Sequence, residues 1–95
     1  MKFEWDKKKN ESNRQKHGIS FDEAKTIFHG PMLTVEDKRK DYDENRKISI
    51  GELENGIAAL VVVHTDRKNV VRIISARKAN KKERGLYYEY LEKKS

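Results

Sequence analysis

Arg72 and Arg77 stand in one strand-like stretch, Val70-Val71-Arg72-Ile73-Ile74-Ser75-Ala76-Arg77-Lys78-Ala79-Asn80. β-Branched residues dominate its first half, the composition of a strand inside a sheet. A cation in such a strand is costly unless something anionic meets it. Two chemistries answer that need: a carboxylate of the chain itself, or a phosphate from a ligand. His64 lies near the end of another apolar run, Ile57 to Thr65, and adds an imidazole that titrates near neutral pH. Two cations and an imidazole brought together would hold a phosphate and move a proton beside it.

Whether these residues meet depends on strand register. Arg46 to Leu53 alternates in hydropathy, and Asn55-Gly56 is a strong hairpin signal. A two-residue turn there pairs Ile50 with Val61, Ile48 with Val63 and Lys47 with His64. Ile48, Ile50, Val61 and Val63 then share one face, which the helices are expected to cover. Lys47, Ser49, Val62 and His64 share the other. The next hairpin has two solutions. An even loop sets Arg72 opposite Val63. A three-residue loop, Arg67-Lys68-Asn69 with Asn69 left-handed, sets it opposite His64. The second keeps the arginine out of the core and is preferred. It makes Lys47, His64 and Arg72 neighbours across three strands.

Each of these residues also has an ordinary structural role. Lys47 suits a solvated strand position, and His64 a packed, hydrogen-bonded one. Arg72 suits a surface ion pair, Arg77 and Lys78 can simply precede a helix, and His17 suits a helix C-terminus. His17, His29 and His64 share no metal-ligand spacing, and the chain has no cysteine. It has no Gly-rich phosphate loop and no serine in a recognisable nucleophile setting. No metal or cofactor is expected.

The other elements follow in order. Lys2 to Trp5 reads as a short strand with Phe3 and Trp5 on one face. Asp6 reads as the N-cap of a nearly all-polar helix to about Lys16, ended by Gly18. Ser20 and Glu23 form a capping box for a second helix with Phe21, Ala24, Ile27 and Phe28 at helical spacing. Gly30-Pro31 stops it, a short strand spans Met32 to Val35, and Glu36 to Asn45 is expected to be a mobile charged loop. Asn80 and Glu83 form a second capping box, opening a terminal helix with Leu86, Tyr87, Tyr90 and Leu91. The 95 residues suit one α+β domain, residues 1–95, with no linker or repeat. Charged residues are 40% of the chain and the net charge is +6, a balance that favours anionic partners. No signal peptide or membrane-length apolar run is present, so a cytoplasmic protein without a membrane partner is expected.

Four segments together resemble the BrnT toxins: Phe3-Glu4-Trp5-Asp6, Lys16 through Ala24, Val61-Val62-Val63-His64-Thr65, and Arg72-Ile73-Ile74-Ser75-Ala76-Arg77-Lys78-Ala79. The match covers nearly the whole chain, with these segments in the family's order. The resemblance implies a RelE-like fold: an antiparallel sheet, two N-terminal helices packed on one face, and a C-terminal helix. It also implies a ribonuclease that halts translation and is neutralised by the antitoxin BrnA. BrnA is a ribbon-helix-helix protein, and operator DNA is met only through the toxin–antitoxin complex. The arginine closing Arg-Ile-Ile-Ser-Ala-Arg is carried over onto Arg77. Gly85 departs from what a helix prefers.

Metal-independent cleavage is the mechanism these residues allow. A ribose 2′-OH loses its proton to a base and attacks the adjacent phosphorus, and an acid protonates the leaving 5′-oxygen. Arg77 and Arg72 suit stabilisation of the phosphoryl charge, and His64 suits the base or the acid. Lys16, Lys47, Lys78 and Tyr88 are candidates for RNA contact. The competing hypothesis is a basic module that binds nucleic acid or an acidic protein without chemistry. Salt-sensitive RNA binding with no cleavage would mark it.

Overall fold

The structure is a computed structural model, and it describes residues 1–39 and 45–94. Of the charged loop expected over Glu36 to Asn45, residues 40–44 lie outside the described residues, and Glu36 belongs to a strand. Strand β1 (Lys2–Trp5) leads into helix α1 (Lys7–His17). A single helical turn, α2 (Phe21–Ala24), continues as a 3₁₀ segment over Lys25–His29. Strands β2 (Met32–Glu36), β3 (Lys47–Glu52), β4 (Ala59–Arg67) and β5 (Val70–Lys78) precede helix α3 (Lys81–Lys94).

The helix termini are built by the residues the sequence marks. Asp6 accepts hydrogen bonds from the amides of Lys8 and Lys9, at 2.8 and 3.2 Å. Gly18 closes α1 with φ 71°, its amide donating to the Arg14 carbonyl. Both halves of the Ser20–Glu23 box are formed, and so are those of the Asn80–Glu83 box. These contacts satisfy amides that the first helical turn leaves without partners.

One sheet holds all five strands, in the order β1-β5-β4-β3-β2. β2 to β5 are antiparallel, but β1 joins β5 in parallel, with Phe3 beside Val71 and Trp5 beside Ile73. The sheet is therefore mixed rather than wholly antiparallel. A parallel pair needs a long crossover. Here everything from α1 to β4 supplies it.

The layers also correct the expectation about which helices cover which face. Phe21, Ala24 and Ile27 pack with Leu60, Val62, Ile73 and Ala76, on the face that also carries Ser49 and His64. Ile48, Ile50 and Val61 do share the opposite face, but Tyr87 and Leu91 of α3 pack against it. Val63, opposite Ile48, belongs to that face too. Two polar side chains can sit under the N-terminal helices because they bond to each other. Gly51 makes close packing possible there, since a Cβ would stand 3.0 Å from the Ile27 Cβ.

The first hairpin has the expected register, Ile50 with Val61 and Lys47 with His64. Its loop is wider than two residues: the Leu53 amide bonds the Ala58 carbonyl, and Gly56 takes φ 71°. The second hairpin differs from both expected solutions. Lys68 and Asn69 have φ 49° and 67°, the geometry of a tight two-residue type I′ turn. Arg67 pairs with Val70, and Arg72 falls opposite Thr65 rather than His64 or Val63. A bulge beside Val63 and His64 then shifts the pairing, so that Arg77 lies opposite Val61.

Candidate functional site

Arg72 and Arg77 emerge on the same side of the sheet. Val71, Ile73 and Ala76 face the N-terminal helices, so Arg72 alternates to the α3 side, and Arg77 shares that side with Val61. Arg72 donates to Glu4 Oε2 at 2.6 Å across the β1–β5 pair, both side chains being about half exposed. Arg77 bonds Glu83 through both ends of its fork: Nη1 to Oε1 and Nη2 to Oε2, each at 2.8 Å. Its side chain remains 42% exposed. Both arginines thus have carboxylate partners within the fold. The pairing raises the Arg77 guanidinium further above its usual range and holds the Glu83 carboxyl below the usual one.

His64 is not beside Arg72. It lies on the face under the N-terminal helices and is 1% exposed. The two-residue turn fixes this, because it leaves Arg72 and His64 on opposite faces. The imidazole is one link in a chain of polar contacts: Thr34 Oγ1 to Ser49 Oγ at 2.8 Å, Ser49 Oγ to His64 Nε2 at 2.8 Å, and His64 Nδ1 to Asp66 Oδ1 at 2.7 Å. Asp66 Oδ2 also meets Lys47 Nζ at 3.2 Å. The Phe28 ring packs edge-on, 4.9 Å from the imidazole. Burial pushes the His64 pKa down, opposed by Asp66. The neutral ring has Nδ1–H donating to the carboxylate and Nε2 accepting from the hydroxyl, the assignment this network requires. Both ring nitrogens are engaged within the fold, and the ring is buried away from both arginines. Ser49, also fully buried, offers no accessible nucleophile.

The other candidate contacts do not form one patch. Lys16 is exposed on α1. Lys47 opens β3 and Lys78 closes β5, at opposite ends of the sheet. Tyr88 is 44% exposed on α3, its ring 5.4 Å from that of Tyr87. Among the described residues, no three His, Asp or Glu side chains converge as metal ligands.

Two residues near Arg77 gave no functional signal in the sequence. Arg39 follows β2 and is held by Asp37 through Nε and Nη2, each at 2.8 Å. It lies near enough to act on the Arg77 charge, but in the sequence it is one cation in a charged run. Glu83 reads as a capping residue, and its position three residues after Asn80 explains it fully at that level.

The family model described as ribonuclease toxin, BrnT, of type II toxin-antitoxin system matches residues 5–83. The chain belongs to the BrnT family. Its members are ribonuclease toxins of type II toxin–antitoxin systems, which makes RNA the substrate class and an antitoxin the partner class. The matched span includes Arg72, Arg77 and Glu83. The fold is similar to the crystal structure of the Brucella abortus ribonuclease toxin BrnT. The TM-score is 0.63 and the identity 25%, over 85% of this chain and 99% of that one. No curated protein matches the chain. Among the described residues, no helix is long and apolar enough to cross a membrane.

Proposed function

We propose that this BrnT family member is a RelE-like, metal-independent endoribonuclease that acts in the cytoplasm. It cuts RNA and thereby stops translation until a BrnA-like ribbon-helix-helix antitoxin neutralises it. Operator DNA is reached only through that complex. The observation that carries the site is Arg77. It is a partly exposed arginine on the α3 side of the sheet, inside the span that matches the family, with a second guanidinium, Arg39, close by. In cleavage, a base takes the 2′-OH proton, negative charge gathers on the phosphoryl oxygens as the 2′-oxygen attacks, and an acid protonates the 5′-oxygen as its bond to phosphorus breaks. A fixed guanidinium already at that place stabilises the transition state without reorganising. Arg72 contacts a flanking phosphate, because its exposed pair with Glu4 is weak and open to exchange. Lys16, Lys78 and Tyr88 add contacts along the RNA.

Glu4 and Glu83 give the non-catalytic reading its own support, since each arginine has a carboxylate partner. Expression separates the two. The chain is induced with and without the adjacent small reading frame, and growth and RNA integrity are followed. Growth arrest with RNA fragmentation, relieved by the neighbour, is expected. Intact RNA with normal growth favours the binding module.

A further inference from the structure

We propose that Glu83 is a positioning residue, which grips one edge of the Arg77 guanidinium and thereby aims its other edge at a phosphate. This rests on the reading of Arg77 as the charge stabiliser.

The geometry is specific about which hydrogens are used. Nη1 and Nη2 each give one hydrogen to Glu83, and Nη1 gives a second contact to the Lys78 carbonyl at 3.3 Å. Nε and the remaining Nη2 hydrogen have no partner among the described residues. Those two lie on one edge of the planar group and form a second two-pronged fork, suited to two oxygens of a phosphate.

Glu83 is itself fixed. Its Oε1 also accepts from the Asn80 amide at 2.8 Å, while the Asn80 side chain accepts from the Glu83 amide at 2.8 Å. The carboxylate is therefore pinned to the first turn of α3 and is only 21% exposed. An arginine on β5 is thus oriented by a helix terminus. A long, flexible side chain is held in one rotamer before RNA arrives, as preorganised charge stabilisation requires. The alternative is inhibition, in which Glu83 occupies the charge that RNA needs. The unpartnered edge argues against that.

The test measures single-turnover cleavage of a defined synthetic RNA by the full chain. Glu83→Gln keeps the length and the contact to the Asn80 amide but loses the two-oxygen grip. Its rate should fall about 10-fold, and Glu83→Ala should fall about 100-fold, with RNA affinity little changed. In an Arg77→Ala background neither substitution should lower the rate further. Asn80→Ala weakens the cap but leaves the grip, and should cut at close to the parent rate. A folded Glu83→Ala protein that cuts at or above the parent rate overturns the proposal. So do equal losses in both backgrounds.

A second readout does not need cleavage. The Arg77 Nε–H resonance, followed by nitrogen-15 NMR while the same RNA is added, should shift in the parent and not in Glu83→Ala. If the parent shows that Glu83-dependent shift but cuts no RNA, the ribonuclease reading fails and the positioning role stands. No shift in the parent overturns the positioning role.

Discussion

The side chain of Asn13 satisfies both backbone polar groups of Ala76. Asn13 Nδ2 donates to the Ala76 carbonyl at 2.8 Å, and the Ala76 amide donates to Asn13 Oδ1 at 3.1 Å. The same Nδ2 also reaches the Ile19 carbonyl at 3.0 Å. The pairing of β1 with β5 stops at Trp5 and Ile73, so Ala76 lies where β5 has lost its neighbour. One carboxamide from α1 replaces that missing strand. This is how a helix with almost no apolar residues is fastened to the core.

Asn13→Ala leaves buried backbone groups without partners. It should destabilise the protein by about 2–3 kcal/mol, lowering Tm by about 10–20 °C. Asn13→Asp should be at least as harmful, because a carboxylate would face two carbonyl oxygens. Thermal melting checks both. A melting point within about 3 °C of the parent would contradict the account.

The buried imidazole makes stability depend on pH. The folded protein holds the His64 pKa below the ordinary 6.5, so the unfolded chain binds the proton more readily. The stabilising effect of the neutral ring is complete above about pH 6.5. It is lost as the pH falls from there toward the folded-state value. Tm should therefore hold above about pH 6.5 and drop as the pH falls below it, and His64→Gln should flatten that drop while lowering Tm at neutral pH. Parallel pH profiles for the two proteins would show that His64 does not carry the effect.

Arg72→Ala removes an exposed ion pair, so stability should change by no more than about 0.5 kcal/mol. RNA affinity should fall, with the slope of log affinity against log salt reduced by about one. The rate at saturating RNA should hold. A loss of rate as large as that of Arg77→Ala would place Arg72 at the scissile phosphate itself.

A net charge of +6 predicts that antitoxin binding is strengthened by charge. Co-expressed with the protein of the adjacent reading frame, the chain should elute with it at low salt, and the complex should weaken as salt rises. Separate elution at low salt would contradict this.

Much of the fold was legible because it is written locally. Asp6, Gly18, Ser20 with Glu23, and Asn80 with Glu83 all act at the helix ends where their types belong. The first hairpin register followed from Asn55-Gly56, since even loops of different lengths can keep the same pairing. The second did not. Lys68 takes a left-handed conformation that its residue type does not announce, and the bulge near His64 has no local signature. The turn separates His64 from Arg72, and the bulge sets Arg77 opposite Val61, so a site built from three adjacent strands becomes a buried polar network on one face and two arginines on the other. Which helix covers which face was equally hidden, because Ser49 and His64 make their face read as the more polar one until each is seen as the other's partner. The grip of Glu83 on Arg77 was masked by the simpler capping role the same residue also performs.

Cleavage by folded Arg77 variants tests the central claim most directly. Rates are measured on one RNA for the parent, Arg77→Ala and Arg77→Lys, each first shown to melt cooperatively and to bind the antitoxin. Loss of one preorganised charge stabiliser predicts a fall of about 100-fold or more for Arg77→Ala. Arg77→Lys should recover only part of it, since lysine keeps the charge without the planar fork. A folded Arg77→Ala protein that cuts RNA at the parent rate would contradict the account and leave Arg77 as the structural partner of Glu83.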